Sequence, residues 1–369
     1  MLRNACATPC ENDLAKIGSI AAAYFIQDRH FLILLRHPCR FMMKAMEIGF
    51  LLLPGYALMS LASAVEPLRA ANQLAGSELY RLRYFAAEER FVPSSAGGGF
   101  SCAALRDAPL TLDLLFTVAG GNPLQQDDPE VARHLRQLAR HGVKLGGISG
   151  GSAVLARYGL MGGRRFTVHW LHIEELEELL PDLLIERALY VIDRDRYTCA
   201  GGVSSFDMMC ALIATRQGAA FAREVGDWFI HSRVRTASEP QQLDPARRYN
   251  LHHPILEAAV RLMSSHVADP LSPEQLAELS GCSLRQLQRR FSGHFGLSIM
   301  EFYRRLRLEK ADELLLHSAL AIAEISGMTG FSTVQHFSRC FAQAFGVPPG
   351  QRRLQGLGAP GSGVSDRRA

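Results

Sequence analysis

The chain has 369 residues, of which 48% are hydrophobic and 21% charged, with a formal net charge of +4. That length suggests two domains, and the composition excludes a chain disordered throughout. So small a positive surplus does not by itself establish nucleic-acid binding, and no apolar run reaches the ~18–20 residues that a membrane span needs. Eight cysteines are scattered without zinc spacing, which points to reduced thiols in a cytoplasmic protein with no metal site, no cofactor and no disulfide framework.

Residues 1–45 read as an atypical leader. The run 17–26 imitates the core of a signal peptide, but Glu11 and Asp13 precede it and Asp28-Arg29-His30 break the apolar character just after it. The leader is expected to be weakly ordered, or untranslated if synthesis starts at Met42, Met43 or Met46. From residue 46 the pattern changes. Continuous apolar runs predict buried strands at 48–54 and 112–121, residues 80–88 alternate as a strand, and 143–149 is a strand entering a sharp turn. Two more strands are expected near 189–193 and 196–199. Helical stretches lie at 60–74, 129–140, 151–157, 171–180 and 204–217. Strands alternating with helices predict a doubly wound α/β sheet over residues 46–235.

Pro240, Pro245 and Pro254, with a polar cluster among them, break that pattern, so 236–252 is expected to be a linker. Residues 253–353 look helical throughout, and 354–369, Gly-rich and polar, look like a flexible tail. In the helical part Ser272-Pro273-Glu274 is a helix start, with Leu276, Ala277 and Leu279 facing inward and Gly281 making a turn. Ser283 then caps a second helix whose core stripe is Leu284, Leu287, Phe291 and Phe295.

This helix-turn-helix pattern occurs twice. Leu276-Ala277-Glu278-Leu279 matches Ile322-Ala323-Glu324-Ile325 at an offset of 46, and Leu287, Arg289, Phe291, Phe295 and Gly296 match Phe337, Arg339, Phe341, Phe345 and Gly346 at an offset of 50. On this reading the second turn is four residues longer, and Phe331, Phe337, Phe341 and Phe345 fill its core. Two such units offer two helices to successive major-groove segments of B-DNA. Arg285, Gln286, Gln288 and Arg289 face outward on one, and Val334, Gln335, Ser338 and Arg339 on the other. Arg can bridge guanine O6/N7 and Gln adenine N6/N7, each good pair giving ~1–3 kcal/mol of discrimination; Val334 could meet a thymine methyl. One amphipathic helix pair with such a face would be read as a solvated bundle. A duplicated unit with Arg at the same slot before Phe and Phe-Gly favours DNA.

Residues 254–353 resemble the AraC/XylS family of bacterial transcription regulators, through LAELSGCSLRQLQRRF, RLRLEKADELLL, GFSTVQHFSRCFAQAFGVPP and Arg352 or Arg353. The resemblance implies two helix-turn-helix units joined by a long helix, promoter DNA as partner, recruitment of RNA polymerase, and base contact by Arg285, Gln288, Arg289, Gln335 and Arg339. The domain closes here with Pro348-Pro349-Gly350-Gln351-Arg352, where the family often has an aromatic residue before the Arg.

The segment LGGISGGSAVLARYGL, residues 145–160, carries a different chemistry. Gly147-x-Ser149-x-Gly151 fits a nucleophile elbow, and the N–H groups just beyond it could form an oxyanion pocket. His169 is a candidate base and Glu66 a candidate orienting carboxylate; an enzyme would need Ser149 hydrogen-bonded to His169. Against catalysis, this short motif is common by chance in Gly-rich chains, and no convincing acid–His pair follows Ser149 in the α/β-hydrolase order.

Residues 46–220 instead resemble the PfpI/class I glutamine amidotransferase-like superfamily, through VEPLRAAN, LLFTVAGG, LGGISGG, VHW and YTCAGGVSSFDMM. The resemblance implies a flavodoxin-like sheet, with Ser149 where a Cys nucleophile usually stands and Gly150 where a His often comes next. The fusion of the two halves is similar to regulators of arginine, carnitine and glycine-betaine catabolism. It implies a catalytically inactive pocket that senses a small effector, an amino acid or quaternary amine, through Glu66, Ser149, Gly150, Gly151, His169 and Trp170. Elbow donors would hold a carboxylate and Trp170 a cationic head. Core packing of His169 and Trp170, and a first-turn dipole role for Glu66, are the competing readings. The chain is thus expected to be a cytoplasmic, homodimeric transcription activator and not an enzyme; the alternative is a Ser149 amidase or peptidase with an accessory DNA-binding domain.

Overall fold

The structure, a computed structural model, describes residues 44–357 except Leu243, so most of the expected leader and tail lie outside the described residues. The strands are β1 Met46–Leu52, β2 Tyr80–Ala86, β3 Arg90–Pro93, β4 Gly99–Ala104, β5 Leu114–Ala119, β6 Lys144–Ser149, β7 Arg165–Phe166, β8 Leu184–Ile185, β9 Tyr190–Asp193 and β10 Arg196–Cys199. Eight of them form one sheet in the order β3-β4-β2-β1-β5-β6-β10-β9, and β7 and β8 pair apart from it. From β4 through β10 neighbours run parallel, while antiparallel β3 and β9 close the edges. The inner order β2-β1-β5-β6-β10 is the flavodoxin-like one.

Every residue of β5 is buried, because helices cover both faces of the sheet. On one face lie α1 (Leu58–Ala75), α5 (Ser204–Gln217) and α6 (Ala219–Trp228), packing Leu61, Leu68, Met208, Leu212 and Phe221 against Phe50 and Phe116. On the other lie α2 (Pro129–Arg140), α3 (Gly151–Arg157) and α4 (Ile173–Leu179), with Leu135, Leu155 and Leu176 against Leu51 and Leu115. Among the elements not expected from sequence are β3, β4, β7, β8, α6 and a four-residue helix at Pro245–Arg248. β3 is a short edge strand and β4 its short neighbour, both in a Pro- and Gly-rich stretch, and α6 comes after α5 with Gly218 alone between them.

The helical half comprises α7 (Pro254–Ser265), α8 (Pro273–Leu279), α9 (Leu284–Phe295), α10 (Ile299–His317), α11 (Ile322–Met328), α12 (Val334–Phe345) and α13 (Pro349–Leu357). It has two cores. Leu276, Leu287, Phe291, Phe302 and Tyr303 build one, and Leu314, Leu315, Ile325, Phe337 and Phe341 the other. Helix α10 serves both, giving Ile299, Phe302 and Tyr303 from its first turns and Leu308, Ala311, Leu314 and Leu315 from its last.

Two expectations need correction here. Leu279 does not face inward; it is 59% exposed. At about 100° per residue it lies about 110° from the midline of buried Leu276 and Ala277, off the apolar stripe. The register of the repeat also differs. Buried Leu276 corresponds to buried Ile325, Ala277 to Ser326, and the positive-φ turn glycine Gly281 to Gly330, all 49 residues on. With α9 and α12 offset by 50, the second turn is one residue longer and not four. The matched letters LAEL and IAEI are not in equivalent positions, since burial fixes the register and local identity does not.

Candidate functional site

Strand β6 ends at Ser149 with φ +58, a left-handed conformation unusual for a residue with a side chain. The turn is held by its glycines. A methyl on Gly147 would lie 2.4 Å from the Ser152 nitrogen, and one on Gly151 1.8 Å from the Thr117 carbonyl oxygen. The elbow is therefore a tightly packed turn of backbone against backbone. Ser149 is buried, and among the described residues no hydrogen bond joins its hydroxyl to His169 or to a carboxylate. The Gly150 N–H already donates to the Ala119 carbonyl at 3.2 Å, so it does not serve as an open oxyanion donor. Beside the elbow, the Cys199 thiol is fully buried and pushed up to about 11 by that burial, which keeps it out of the thiolate form.

The expected carboxylate is placed elsewhere in its interactions. Glu66 is half-exposed on α1 and accepts from Arg69 Nε and Nη2 at 2.8 and 2.7 Å, a pair one helical turn apart. Ser60, three residues into α1, is the group that meets the elbow. A methyl on Gly201 would sit 2.6 Å from Ser149 Cβ and 2.9 Å from Ser60 Oγ, and Ser60 Oγ accepts from the Gly202 N–H at 2.7 Å.

Outside the carboxyl end of β10 lies a cleft of about 220 Å³. Drug-sized sites run ~300–1,000 Å³, so this one suits a small metabolite. Its walls come from three parts of the chain: Leu189, Gly201 and Ser204 around β9, β10 and the start of α5; His169 and Trp170 after β7; and Arg235 and Gln241 from the strap beyond α6.

The cleft's polar groups are fixed by named contacts. His169 Nδ1 accepts from the Leu171 N–H at 3.3 Å, and burial, with a smaller push from His317, lowers its pKa to about 4. The ring is thus neutral near pH 7 and presents its Nε2–H. Burial likewise holds the neighbouring His172 down to about 3. Arg235 donates to the wholly buried Asp207 carboxylate through its backbone N–H, Nε and Nη2 at 2.8, 3.0 and 2.7 Å. The Gln241 amide donates to the Val168 and Ala188 carbonyls at 3.0 and 2.8 Å, and the Leu189 N–H donates to the Ala237 carbonyl at 2.9 Å. The strap is thereby bound to the sheet's end along its length. Such a cleft can hold a small polar molecule; among the described residues no hydrogen bond in it joins a hydroxyl or thiol to a histidine, and Ser204 Oγ donates instead to the Gly201 carbonyl at 2.7 Å.

Of the expected effector residues, His169 and Trp170 line the cleft, Ser149 adjoins its Gly201 wall, Gly150 and Gly151 form the turn behind, and Glu66 is engaged by Arg69. Ser60, Arg235 and Gln241 were missed. Gly201-Gly202 in YTCAGGVSS marked the loop, but nothing local to Arg235 or Gln241 announced them.

In the helical half Arg285, Gln288 and Arg289 are exposed on α9, and Val334, Gln335 and Arg339 on α12, with Ser338 half-buried. Gln286 has a second task. Its Oε1 accepts from the Ser283 N–H at 3.1 Å while Ser283 Oγ accepts from the Gln286 N–H at 3.4 Å, a capping box that ties its oxygen to the helix start. On α12 the cap is Thr333, whose Oγ1 accepts from the His336 N–H at 3.2 Å. Among the described residues no helix is long and apolar enough to cross a membrane, and no His/Cys/Asp/Glu cluster could hold a metal.

Comparison with known proteins adds four findings. A family model described as a helix-turn-helix domain matches residues 276–355. The chain is 43% identical over 308 residues to the HTH-type transcriptional regulator GlxA of Rhizobium meliloti (strain 1021), covering 83% of this chain and 95% of the relative. It is 39% identical over 307 residues to the HTH-type transcriptional regulator CdhR of Pseudomonas aeruginosa, covering 83% and 91%. A solved structure of a THiJ/PfpI family protein from Pseudomonas syringae is similar at 18% identity and a TM-score of 0.47, covering 65% of this chain and 92% of that one.

Proposed function

The chain belongs to the HTH-type transcriptional regulators, and from that premise we propose that a small metabolite in the cleft of the α/β half controls the hold of an AraC-type DNA-binding domain on promoter DNA. The observation that carries the reading is the make-up of the cleft. Its strap wall, with Arg235 and Gln241, is the peptide that leads into the helical half, so an occupant touches the connection between sensing and reading. The Asp207–Arg235 pair keeps a guanidinium at the cleft and suits a ligand carboxylate; Trp170 suits an aliphatic or cationic remainder. An amino acid or a quaternary amine with a carboxylate fits both. On this reading the chain works in the cytoplasm as a homodimeric activator that engages RNA polymerase, and Ser149 does no chemistry.

DNA contact falls to Arg285, Gln288, Arg289, Val334, Gln335, Ser338 and Arg339, with Gln286 acting first as a cap. Arg289→Ala and Arg339→Ala are each expected to cost ~1–3 kcal/mol of discrimination at the base they read, measured by binding to single-base variants of a selected duplex. For the cleft, a thermal-shift screen of amino acids and quaternary amines is expected to find a stabilising ligand by mass action. Ser149→Ala should leave DNA binding intact. Amide or peptide hydrolysis by the wild type that disappears in Ser149→Ala would establish the amidase reading in its place.

A further inference from the structure

The segment 169–175 has two sides. One gives the cleft its His169–Trp170 wall. The other receives the helical half at the end of the long helix α10 and at the loop entering α11. There Lys310 Nζ lies 3.3 Å from Glu174 Oε1 and 5.8 Å from the Trp170 ring centroid, and the Ala319 N–H donates to Glu175 Oε1 at 3.0 Å. Ala319 is two residues before Ala321, the cap position of the first helix of the second helix-turn-helix unit. We propose that segment 169–175 is a latch that passes occupancy of the cleft to the second reading unit, holding that unit in one orientation while the cleft is empty and letting it move when a ligand takes the His169–Trp170 wall. The proposal rests on the reading that the cleft is an effector site.

Two observations make this a switchable contact instead of ordinary packing. The junction is polar, and it leaves polar atoms unpaired. Glu175 is 2% exposed, yet only its Oε1 has a partner. Among the described residues, Glu175 Oε2, Glu174 Oε2 and His172 Nδ1 are all buried without a hydrogen bond. Unpaired buried polar groups make a docked contact weaker than an apolar one of the same size, which favours release. In the two helical cores, by contrast, buried apolar side chains do the holding. The latch also leaves Gln335 and Arg339 exposed, so docking orients the second unit without covering its reading face. Coupling of this kind is reciprocal: DNA on the second unit must be felt at the cleft wall.

The test uses the full chain with Trp228→Phe, which leaves Trp170 as the sole tryptophan. A duplex selected from a random-sequence pool by this protein is titrated while Trp170 emission is monitored. With the latch intact the emission is expected to change on binding. In Lys310→Met and in Glu175→Leu the change should fall at least fivefold, and Glu175→Gln, which keeps an oxygen for the Ala319 N–H, should restore it. An undiminished response in both broken variants, or no response in the intact protein despite tight duplex binding, overturns the proposal. If the pool yields no duplex, the regulator reading itself fails. The latch is then judged by amide exchange, where 318–328 should exchange at least tenfold faster in Lys310→Met while 284–295 is unchanged. Equal exchange in that variant and its parent overturns it, and since Lys310 is half-buried on α10 and belongs to neither helical core, this arm does not depend on Glu175→Leu folding.

Discussion

The two helix-turn-helix units share an apolar frame and differ in how the ends of their helices are held. In the first, Ser272 and Ser283 both cap their helices, and Gln275 and Gln286 complete capping boxes. In the second, the cap position of α11 is Ala321, which has no side-chain acceptor; only the return half of the box exists, with Glu324 accepting from the Ala321 N–H. The second unit makes up for this missing cap through its surroundings. Arg307 of α10 stacks 4.3 Å from the Phe331 centroid and donates to the Thr329 carbonyl at 2.7 Å, and Arg352 grips Asp312 at 2.7 and 2.9 Å. The turn glycines differ in the same way. A methyl on Gly281 would meet nothing within 4 Å, but one on Gly330 would lie 2.6 Å from the Val267 carbonyl oxygen. Tertiary contact can thus replace local capping, and the unit that depends on it is also the one latched to the α/β half.

The largest expected effect tests whether the units are separate bodies. Phe291→Ala and Phe341→Ala should each cost ~3–5 kcal/mol, because both rings are fully buried. Since they lie in different cores, amide exchange should report each loss mainly in its own unit; equal loosening of both units by either change would mean that α10 welds them into one. The turn glycines come next. Gly281→Ala should cost about 1–2 kcal/mol from its left-handed backbone alone, and Gly330→Ala clearly more, by urea denaturation, because its methyl also meets the Val267 carbonyl. Equal costs would show that the carbonyl moves aside freely. The caps are smallest. Ser272→Ala should lose about 1 kcal/mol, whereas Ala321→Ser should gain a similar amount by supplying the missing acceptor. No gain from Ala321→Ser would mean that the contact between Glu175 and the Ala319 N–H already fixes that helix start.

Much of the fold was legible where one periodicity ran long enough. β5 is apolar at nearly every position and is buried at every one, and the strand-turn-helix around Ser149 was read from its glycines. β3 and β4 were not legible. They are short, contain Pro93 and Gly99, and Gly99 is needed because a methyl there would strike the Val92 carbonyl. The repeat was visible but misregistered, since LAEL and IAEI share letters while the buried pair is Leu276 with Ile325. The cleft was half legible: His169 and Trp170 stood in a short motif, but Glu66 was a plausible carboxylate that its neighbour Arg69 had already taken.

By itself the sequence determined what short-range order can determine: which long periodic stretches are helix or strand, where Ser272 and Ser283 start helices, that a reading unit occurs twice, and which superfamilies the halves resemble. Apolar periodicity and capping act within a few residues, so they are written locally. Only the tertiary structure decided which polar groups meet. Arg235 finds Asp207 across 28 residues, and the Ala319 N–H finds Glu175 across 144. Pairings of that kind depend on how whole elements approach one another, and a buried carboxylate accepts whichever donor the packing delivers.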